Sequence, residues 1–351
     1  MRMIVVKKLA SDFREATDII EVAVPRPGPK EILVKNRYAG INASDVNYTA
    51  GRYDPTKKPP FPAGFEGLGE VAAVGPDSNY NVGEFVLYCN FGAFADYTVV
   101  DESIAIPVPS TDPAYLSFMV SGLTASIALE KEADLRSGKV VLVTAAAGGT
   151  GQFAVQLAKL AGCHVIGTCS SDEKIAFLKS IGCDRAVNYR KESLDEVLSK
   201  EYPKGIDVVY ESVGNEMFDT ALKNLALFGR VIVIGLIANY EGQEVKQGNT
   251  FYDIQERRSV SIPITLLSKS ASVRGFFLDH YSADYLRHIS SLTKLYKAGK
   301  LKAFSDTGVR APNGPFIGLD KVADAVEYMY SRKNVGKVVV ELGKEDVKRG
   351  L

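Results

Sequence analysis

The chain has 351 residues, 46% of them hydrophobic and 24% charged, with 42 basic and 42 acidic side chains in balance. At roughly 150 residues per domain this predicts about two folded domains and excludes a disordered chain or a coiled coil. A net charge of zero gives no bulk field toward nucleic acid or an anionic membrane, and no apolar run approaches the ~20 residues of a bilayer helix.

Taken in chain order, residues 1 to about 120 read as short strands: Met3–Lys7, Glu31–Tyr38, Gly69–Val74, Glu84–Tyr88 and Phe94–Val99. Gly and Pro clusters at 25–29 and 58–62 punctuate them, the pattern of a compact β-rich domain. From about Ser121 the pattern changes to apolar runs separated by amphipathic helices. Strand Val140–Val143 precedes a helix over Gln152–Ala161, strand His164–Thr168 a helix over Asp172–Ile181, and Ala186–Asn188 a helix opened by the capping box Ser193–Glu196. Ile206–Tyr210, Arg230–Ile234 and Val273–Leu278 are three more β-branched runs. Apolar strands without alternation, separated by helices, predict an α/β domain with a doubly wound parallel sheet.

The stretch Ala238–Ser261 lacks periodicity and is too long for an ordinary connection, which predicts a lid or binding loop. Its Arg257 and Arg258 read either as solvated side chains or as partners of a substrate carboxylate. Leu319–Tyr330 is helical by the spacing of Val322, Ala325, Val326 and Met329, and Lys337–Leu342 is a strand expected to rejoin the first domain.

The residues Thr144-Ala145-Ala146-Ala147-Gly148-Gly149-Thr150-Gly151 stand between a strand and a helix. They form a dinucleotide fingerprint with Ala146, Gly148 and Gly151 in the three glycine positions. Gly148 has no Cβ to block a pyrophosphate, Gly151 lets the helix approach the strand, and the helix N-terminus attracts phosphate. Gly149 and Thr150 complete the turn. At the end of the second strand a ribose-binding acid is expected for NAD, whereas Cys169-Ser170-Ser171 stands there and Lys174 follows. Asp172 is explained as a first-turn residue favoured by the helix dipole; Lys174 is misplaced on the same grounds unless it faces an anion. Ser170, Lys174 and Tyr189 are therefore expected to hold the 2′-phosphate of NADPH.

Cys89, Cys163, Cys169 and Cys183 contain no CxxC pair and read as reduced thiols. The three histidines are too dispersed for a metal cage, although His280 and His288 lie in one helical region. No metal is expected.

Gly40-Ile41-Asn42-Ala43-Ser44-Asp45, Gly51-Arg52-Tyr53, Pro62-Ala63-Gly64-Phe65-Glu66-Gly67, the glycine turn and Asn334-Val335-Gly336-Lys337 together give the whole chain a family likeness. It resembles the medium-chain dehydrogenase/reductase superfamily, in its zinc-free, quinone-oxidoreductase-like branch. Residues 42–55, 144–152, 167–174, 210–214 and 268–278 are similar to the prostaglandin reductases. The resemblance implies a GroES-like catalytic domain over residues 1–122 and 305–351 and a Rossmann NADP-binding domain over 123–304. It further implies that Gly214, Gly235, Phe276, Phe277 and Leu278 on the later strands line the cofactor groove, with Asn334 near the nicotinamide and a homodimer as the assembly. In the superfamily's alcohol dehydrogenases a Cys in the Asn42 region and a His beside Glu66 bind zinc; here Asn42-Ala43-Ser44 and Phe65 stand instead.

Without soft or imidazole ligands, the expected reaction is conjugate reduction of an α,β-unsaturated ketone by NADPH, 15-oxo-prostaglandins being the substrates the resemblance implies. Asn42 and Tyr53, with Tyr48 as a third, are the residues expected to orient the small-molecule enone or stabilise the enolate. Related reductases place a tyrosine seven residues before the glycine of the sixth strand, and counting back from Gly275 gives Ser268. Their peroxisomal Ser-Lys-Leu terminus is replaced by Arg349-Gly350-Leu351, and the opening residues Met1–Lys8 lack a signal peptide's apolar region, so the expected compartment is the cytoplasm. Quinone reduction, or NADPH binding without catalysis, are the alternatives.

Overall fold

The computed structural model describes residues 1–54, 56–241 and 260–343. The expected loop 238–261, with Arg257 and Arg258, lies largely outside the described residues, as does the C-terminal tripeptide. Among the described residues the chain divides into two compact units, one comprising Met1–Met119 and residues 305–343, the other Val120–Glu241 and residues 260–304.

The first unit is built on a curved sheet whose strands run, in order across it, Ser305–Asp306, Lys337–Glu341, Glu31–Gly40, Glu66–Val74, Phe85–Cys89 and Ile106–Val108; Tyr97–Asp101 also pairs with Glu31–Gly40. Register shifts at Leu33/Val34 and Asn36/Tyr38 bend the long central strand, because an extra residue on one side of a ladder increases local twist. Ile32, Val34, Val71, Val86, Tyr88 and Val100 fill its core. Lys337–Glu341 pairs antiparallel with Glu31–Gly40 through Val339 opposite Gly40, which brings the end of the described chain back to this unit. The strand expected at Phe94–Val99 forms at Tyr97–Asp101.

The second unit holds a six-stranded, all-parallel sheet. Its order is Arg185–Asn188, His164–Cys169, Val140–Val143, Ile206–Glu211, Leu225–Val233, Ser272–Gly275. In chain order that is 3-2-1-4-5-6, the doubly wound arrangement in which ligands bind beyond the strand carboxyl ends. Leu142, Ile166, Val187, Val209 and Val231 pack beneath Phe218 and Leu222, so the apolar runs legible in the sequence are indeed buried between layers. The sixth strand stops at Gly275, where its register with Val233 ends, and Leu278 already opens a 3-10 turn. Phe276–Leu278 therefore follow the strand rather than belonging to it, because an edge strand has a single neighbour to hold it.

Four helices of this unit, Leu123–Glu132, Asn215–Lys223, Ile262–Lys269 and Tyr285–Lys297, have no delimited counterpart among the predicted elements, although the region of His280 and His288 reads as helical. In the first, Leu123, Thr124, Ala125, Ile127, Ala128 and Leu129 are all buried and the exposed charges Glu130 and Lys131 fall only at its end, so no polar face runs along it to mark a period. Among the described residues no helix is long and apolar enough to cross a membrane.

Candidate functional site

In the second unit, strand Val140–Val143 delivers the chain to a turn stitched to both neighbouring strands. The Ala145 and Ala146 N–H groups donate to the Thr168 hydroxyl and carbonyl at 3.1 and 3.0 Å, and Ser212 N–H donates to Thr144 Oγ1 at 2.9 Å. Ala145 has φ 46°, a left-handed conformation that costs a residue with a Cβ. Gly151 begins the helix Gly151–Leu160, and a Cβ there would meet Ala145 O at 2.5 Å and Ala146 Cα at 2.7 Å. Only glycine fits this approach. At Gly148 a Cβ would lie 3.1 Å from Ala145 O, a tighter contact than side chains ordinarily make. Thr150 is tethered by Tyr210 Oη at 2.6 Å and by its own donation to Ser121 O at 3.1 Å. The turn is thus rigid, opens a ten-residue helix, and fits a pyrophosphate at that helix's N-terminus.

Ser170 follows the second strand and Ser171 caps the helix Asp172–Ser180, accepting from Lys174 N–H at 3.3 Å. The Lys174 side chain is buried, as is Ser170, and Tyr189 N–H donates to Cys169 O at 3.1 Å, so the ends of the second and third strands collect all three residues. Asp172 turns to Lys191, with which it forms an ion pair, and accepts from Asn188 Nδ2 at 3.0 Å. The Lys191 contact, then Asn188, hold its carboxyl below the usual range. A buried lysine beside a serine, with the neighbouring acid engaged elsewhere, is a donor set suited to a 2′-phosphate rather than a ribose diol.

Gly214 (φ 88°) follows the fourth strand, its N–H donating to the buried Glu211 carboxylate at 3.1 Å. Gly235 follows the fifth, where Leu236 N–H donates to Tyr240 Oη at 2.9 Å. Phe276 is buried and stacked on Tyr281 with centroids 4.8 Å apart, whereas Phe277 is exposed. Asn334 lies in the first unit, buried, with Nδ2 donating to Gly336 O at 3.0 Å in the turn before the last strand.

The first unit also carries Asn42, Tyr48 and Tyr53. Asn42 belongs to a closed buried network: Lys337 Nζ donates to its Oδ1 at 2.5 Å, its Nδ2 donates to Glu66 Oε2 at 2.9 Å, and Lys337 pairs with the same Glu66 oxygen at 2.6 Å. The Glu66 and Lys337 side chains are 0% and 2% exposed. Gly40 makes room, since a Cβ there would lie 2.0 Å from Glu66 Oε2. Asn42 N–H donates to Asp45 Oδ2 at 2.8 Å; burial, opposed by that bond and by Lys337, pushes the Asp45 carboxyl up to about 7. Asn47, fully buried on the same short helix Ser44–Thr49, accepts from Arg52 Nη1 at 2.7 Å, while its Nδ2 has no partner among the described residues.

Tyr48 is buried, stacked on Phe91 at 4.4 Å and 7°, edge-on to Phe61 at 5.2 Å, and its hydroxyl oxygen accepts from Lys57 Nζ at 2.8 Å. Tyr53 is half-buried in the loop that follows. Ser268, on the helix Ile262–Lys269, is exposed and donates to Thr265 O at 3.1 Å, an ordinary within-helix bond.

Sequence reasoning did not select Lys57, Lys337, Glu66, Asp45 or Asn47. The available signal was charge in the wrong place: Lys337 directly precedes the three valines of its strand, and Glu66 stands among glycines at the start of another.

A catalytic zinc does not fit these donors. The amide of Asn42 is consumed by Lys337 and Glu66, Phe65 offers a ring, and an ammonium already neutralises the nearby carboxylate. Elsewhere, Glu130, Asp284 and His288 place ligand atoms within 4.8 Å of one another, yet Arg287 binds both carboxylates at 2.6–2.9 Å and Lys131 pairs with Asp284 at 3.1 Å. That cluster reads as a salt-bridge network.

Comparison with known proteins agrees with this geometry. Residues 149–293 match a family model described as zinc-binding dehydrogenase, and residues 28–110 one described as alcohol dehydrogenase GroES-like domain. The chain is 55% identical to prostaglandin reductase-3 of Mus musculus, covering 97% of this chain and 89% of that one. It is 44% identical to a probable quinone oxidoreductase of Leishmania amazonensis, covering 96% of each. A mycobacterial protein solved with NADPH superposes with a TM-score of 0.80 at 25% identity, covering 97% of this chain and 98% of the other. The chain therefore belongs to the medium-chain dehydrogenase/reductase superfamily of oxidoreductases, among its prostaglandin-reductase and quinone-oxidoreductase-like members.

Proposed function

We propose that this protein reduces the conjugated C=C bond of α,β-unsaturated ketones with NADPH, 15-oxo-prostaglandins among them. The observation that carries the reading is the donor set around Asn42, where a zinc-dependent dehydrogenase would need metal ligands and this chain has an amide locked between Lys337 and Glu66. Reducing a carbonyl directly would build an alkoxide with no Lewis acid to hold it. Conjugate addition instead spreads the charge into an enolate, which preorganised hydrogen bonds can stabilise. The high identity to prostaglandin reductase-3 supports the same substrate class.

The rigid Gly148–Gly151 turn, with Gly149 and Thr150, would receive the pyrophosphate, and Ser170 with Lys174 the 2′-phosphate. Bound NADPH supplies a hydride. Tyr48 and Tyr53 are the hydroxyls we assign to the enone oxygen, and Asn42 shapes the wall beside them; the enolate carbon takes its proton from water. A homodimer is supported by the edge strand Ser272–Gly275, which pairs on one side only among the described residues.

The test is a panel of enones and quinones with NADPH deuterated at C4, followed by product analysis. Label at the β-carbon of a saturated ketone is expected; label at the carbinol carbon of an allylic alcohol would refute the proposal. Turnover of quinones without any enone would favour the second reading, which the likeness to the Leishmania protein supports.

A further inference from the structure

The loop after helix Ser44–Thr49 is folded so that Lys57 returns over that helix. Asp54 fixes the bend: its carboxylate accepts from Thr56 N–H at 3.0 Å and from the Thr56 hydroxyl at 2.6 Å, and its carbonyl accepts from Lys57 N–H at 3.1 Å. The Lys57 ammonium is thereby placed 2.8 Å from Tyr48 Oη. It also lies 5.1, 5.0 and 4.8 Å from the ring centroids of Tyr48, Phe61 and Phe91. Ring faces attract a cation through their quadrupole, so three aromatic rings hold this ammonium, and among the described residues no carboxylate pairs with it.

That arrangement dictates the direction of one proton. An ammonium has donors and no acceptor, so in the Lys57–Tyr48 bond the phenol oxygen must accept, and the phenol's own hydrogen is turned away from Lys57. The tyrosine ring has no freedom to undo this, clamped as it is between Phe91 and Phe61. We infer that Lys57 is a positioning residue of the reaction, which fixes the Tyr48 hydroxyl as a hydrogen-bond donor toward the oxygen of the conjugated carbonyl. The inference rests on the enone-reductase reading above. Burial holds the Tyr48 hydroxyl in its protonated, donating form across the neutral range. As negative charge grows on the carbonyl oxygen, the Lys57 cation polarises the phenol toward it, so the bond strengthens in the transition state rather than in the ground state. No proton need leave Tyr48.

The experiment uses the full chain with NADPH and a simple α,β-unsaturated ketone, in four variants: Lys57→Met, Lys57→Arg, Tyr48→Phe, and Lys57→Met combined with Tyr48→Phe. A charge-assisted hydrogen bond converts to roughly a ten- to hundredfold loss of kcat for Lys57→Met, with KM for NADPH unchanged. Lys57→Arg restores most of it, and the double variant is no slower than Tyr48→Phe alone. Additive losses in the double variant, or full kcat in Lys57→Met beside an impaired Tyr48→Phe, overturn the inference.

A second readout needs no substrate. With tyrosine labelled at Cζ by carbon-13, the Tyr48 resonance, identified by its loss in Tyr48→Phe, shifts in Lys57→Met and stays in place in the control Lys58→Met. Absence of that shift overturns the Lys57 assignment. Lack of enone turnover by the unaltered protein would instead overturn the enone reading, and the two failures are read separately.

Discussion

Lys337 Nζ lies 2.6 Å from Glu66 Oε2 with neither side chain reached by solvent, and the two close around the amide of Asn42. An ion pair so deeply buried contributes little net stability against an apolar substitute, but removing one partner strands the other. Lys337→Met is therefore expected to cost about 3–5 kcal/mol in urea denaturation. Adding Glu66→Gln, which removes the stranded charge and keeps a hydrogen-bonding partner for Asn42 Nδ2, should recover most of that loss. A double variant as unstable as the single one would mean that packing, rather than charge, is what Lys337 provides.

Lys174 is expected to separate the two nicotinamide cofactors. Its side chain is buried just past the end of the second strand, as is Ser170, while Asp172, in the first turn of the same helix, is engaged with Lys191 and Asn188. Lys174→Ala should weaken NADPH binding roughly ten- to a hundredfold, the loss of one charge-assisted hydrogen bond, and leave NADH nearly unchanged. Calorimetric titration with each cofactor measures this directly. Equal losses for both would remove the 2′-phosphate from this corner.

Asp45 gives a pH dependence whose sign is fixed. Burial raises its carboxyl from 3.8 to about 7, against the opposing Asn42 N–H bond and Lys337, so the folded protein holds a proton that the unfolded chain releases. A raised folded value contributes stability that is full below about pH 4 and lost as pH rises through about 7. Asp45→Asn removes this term. Its Tm relative to the unaltered protein should therefore improve between about pH 5 and about pH 8. A difference in Tm that is flat across that interval would place the Asp45 carboxylate in a better-solvated position than its full burial indicates.

What the sequence discloses follows the range of the interactions involved. The central parallel strands Val140–Val143, His164–Cys169 and Ile206–Glu211 are legible because they are buried on both faces and carry their own apolar runs, and the glycine turn because Thr144–Gly151 is contiguous. Helix Leu123–Glu132 is invisible because it is buried on nearly every side and so has no polar face to reveal its period. The network at Asn42 is hidden for a different reason: Lys337 and Asn42 are 295 residues apart, and only the antiparallel return of the last strand onto Glu31–Gly40 makes them neighbours. Lys57 is close in sequence to Tyr48, but their contact depends on a loop bend set by Asp54, which no periodicity encodes.

Two glutamines one helical turn apart tie the helix of the glycine turn to the segment that leads out of the second unit. Gln152 Nε2 donates to Phe304 O at 3.0 Å while Phe304 N–H donates to Gln152 Oε1 at 2.8 Å. Gln156 repeats the pairing with Lys302 at 2.9 and 2.8 Å. Each side-chain amide thus serves its partner as a neighbouring strand would, and residues at i and i+4 share the helix face this requires. Gln152→Leu leaves the Phe304 N–H and C=O without their partner, which should cost about 1–3 kcal/mol for each group that water cannot reach. Gln152→Glu is the sharper test, because it keeps an acceptor for Phe304 N–H but turns a carboxylate oxygen toward Phe304 O. Ionised, that oxygen repels the carbonyl; protonated, it donates as the amide did. The folded state therefore raises the new carboxyl above its unfolded value, and the stability it contributes is present at low pH and lost as pH rises. Calorimetry of Gln152→Glu should show a Tm close to that of the unaltered protein at about pH 4.5 and well below it at about pH 8, whereas Gln152→Leu should differ from the unaltered protein by the same amount at both. A Gln152→Glu deficit independent of pH would mean that solvent enters between the helix and Phe304, and that the two glutamines do not clamp this segment.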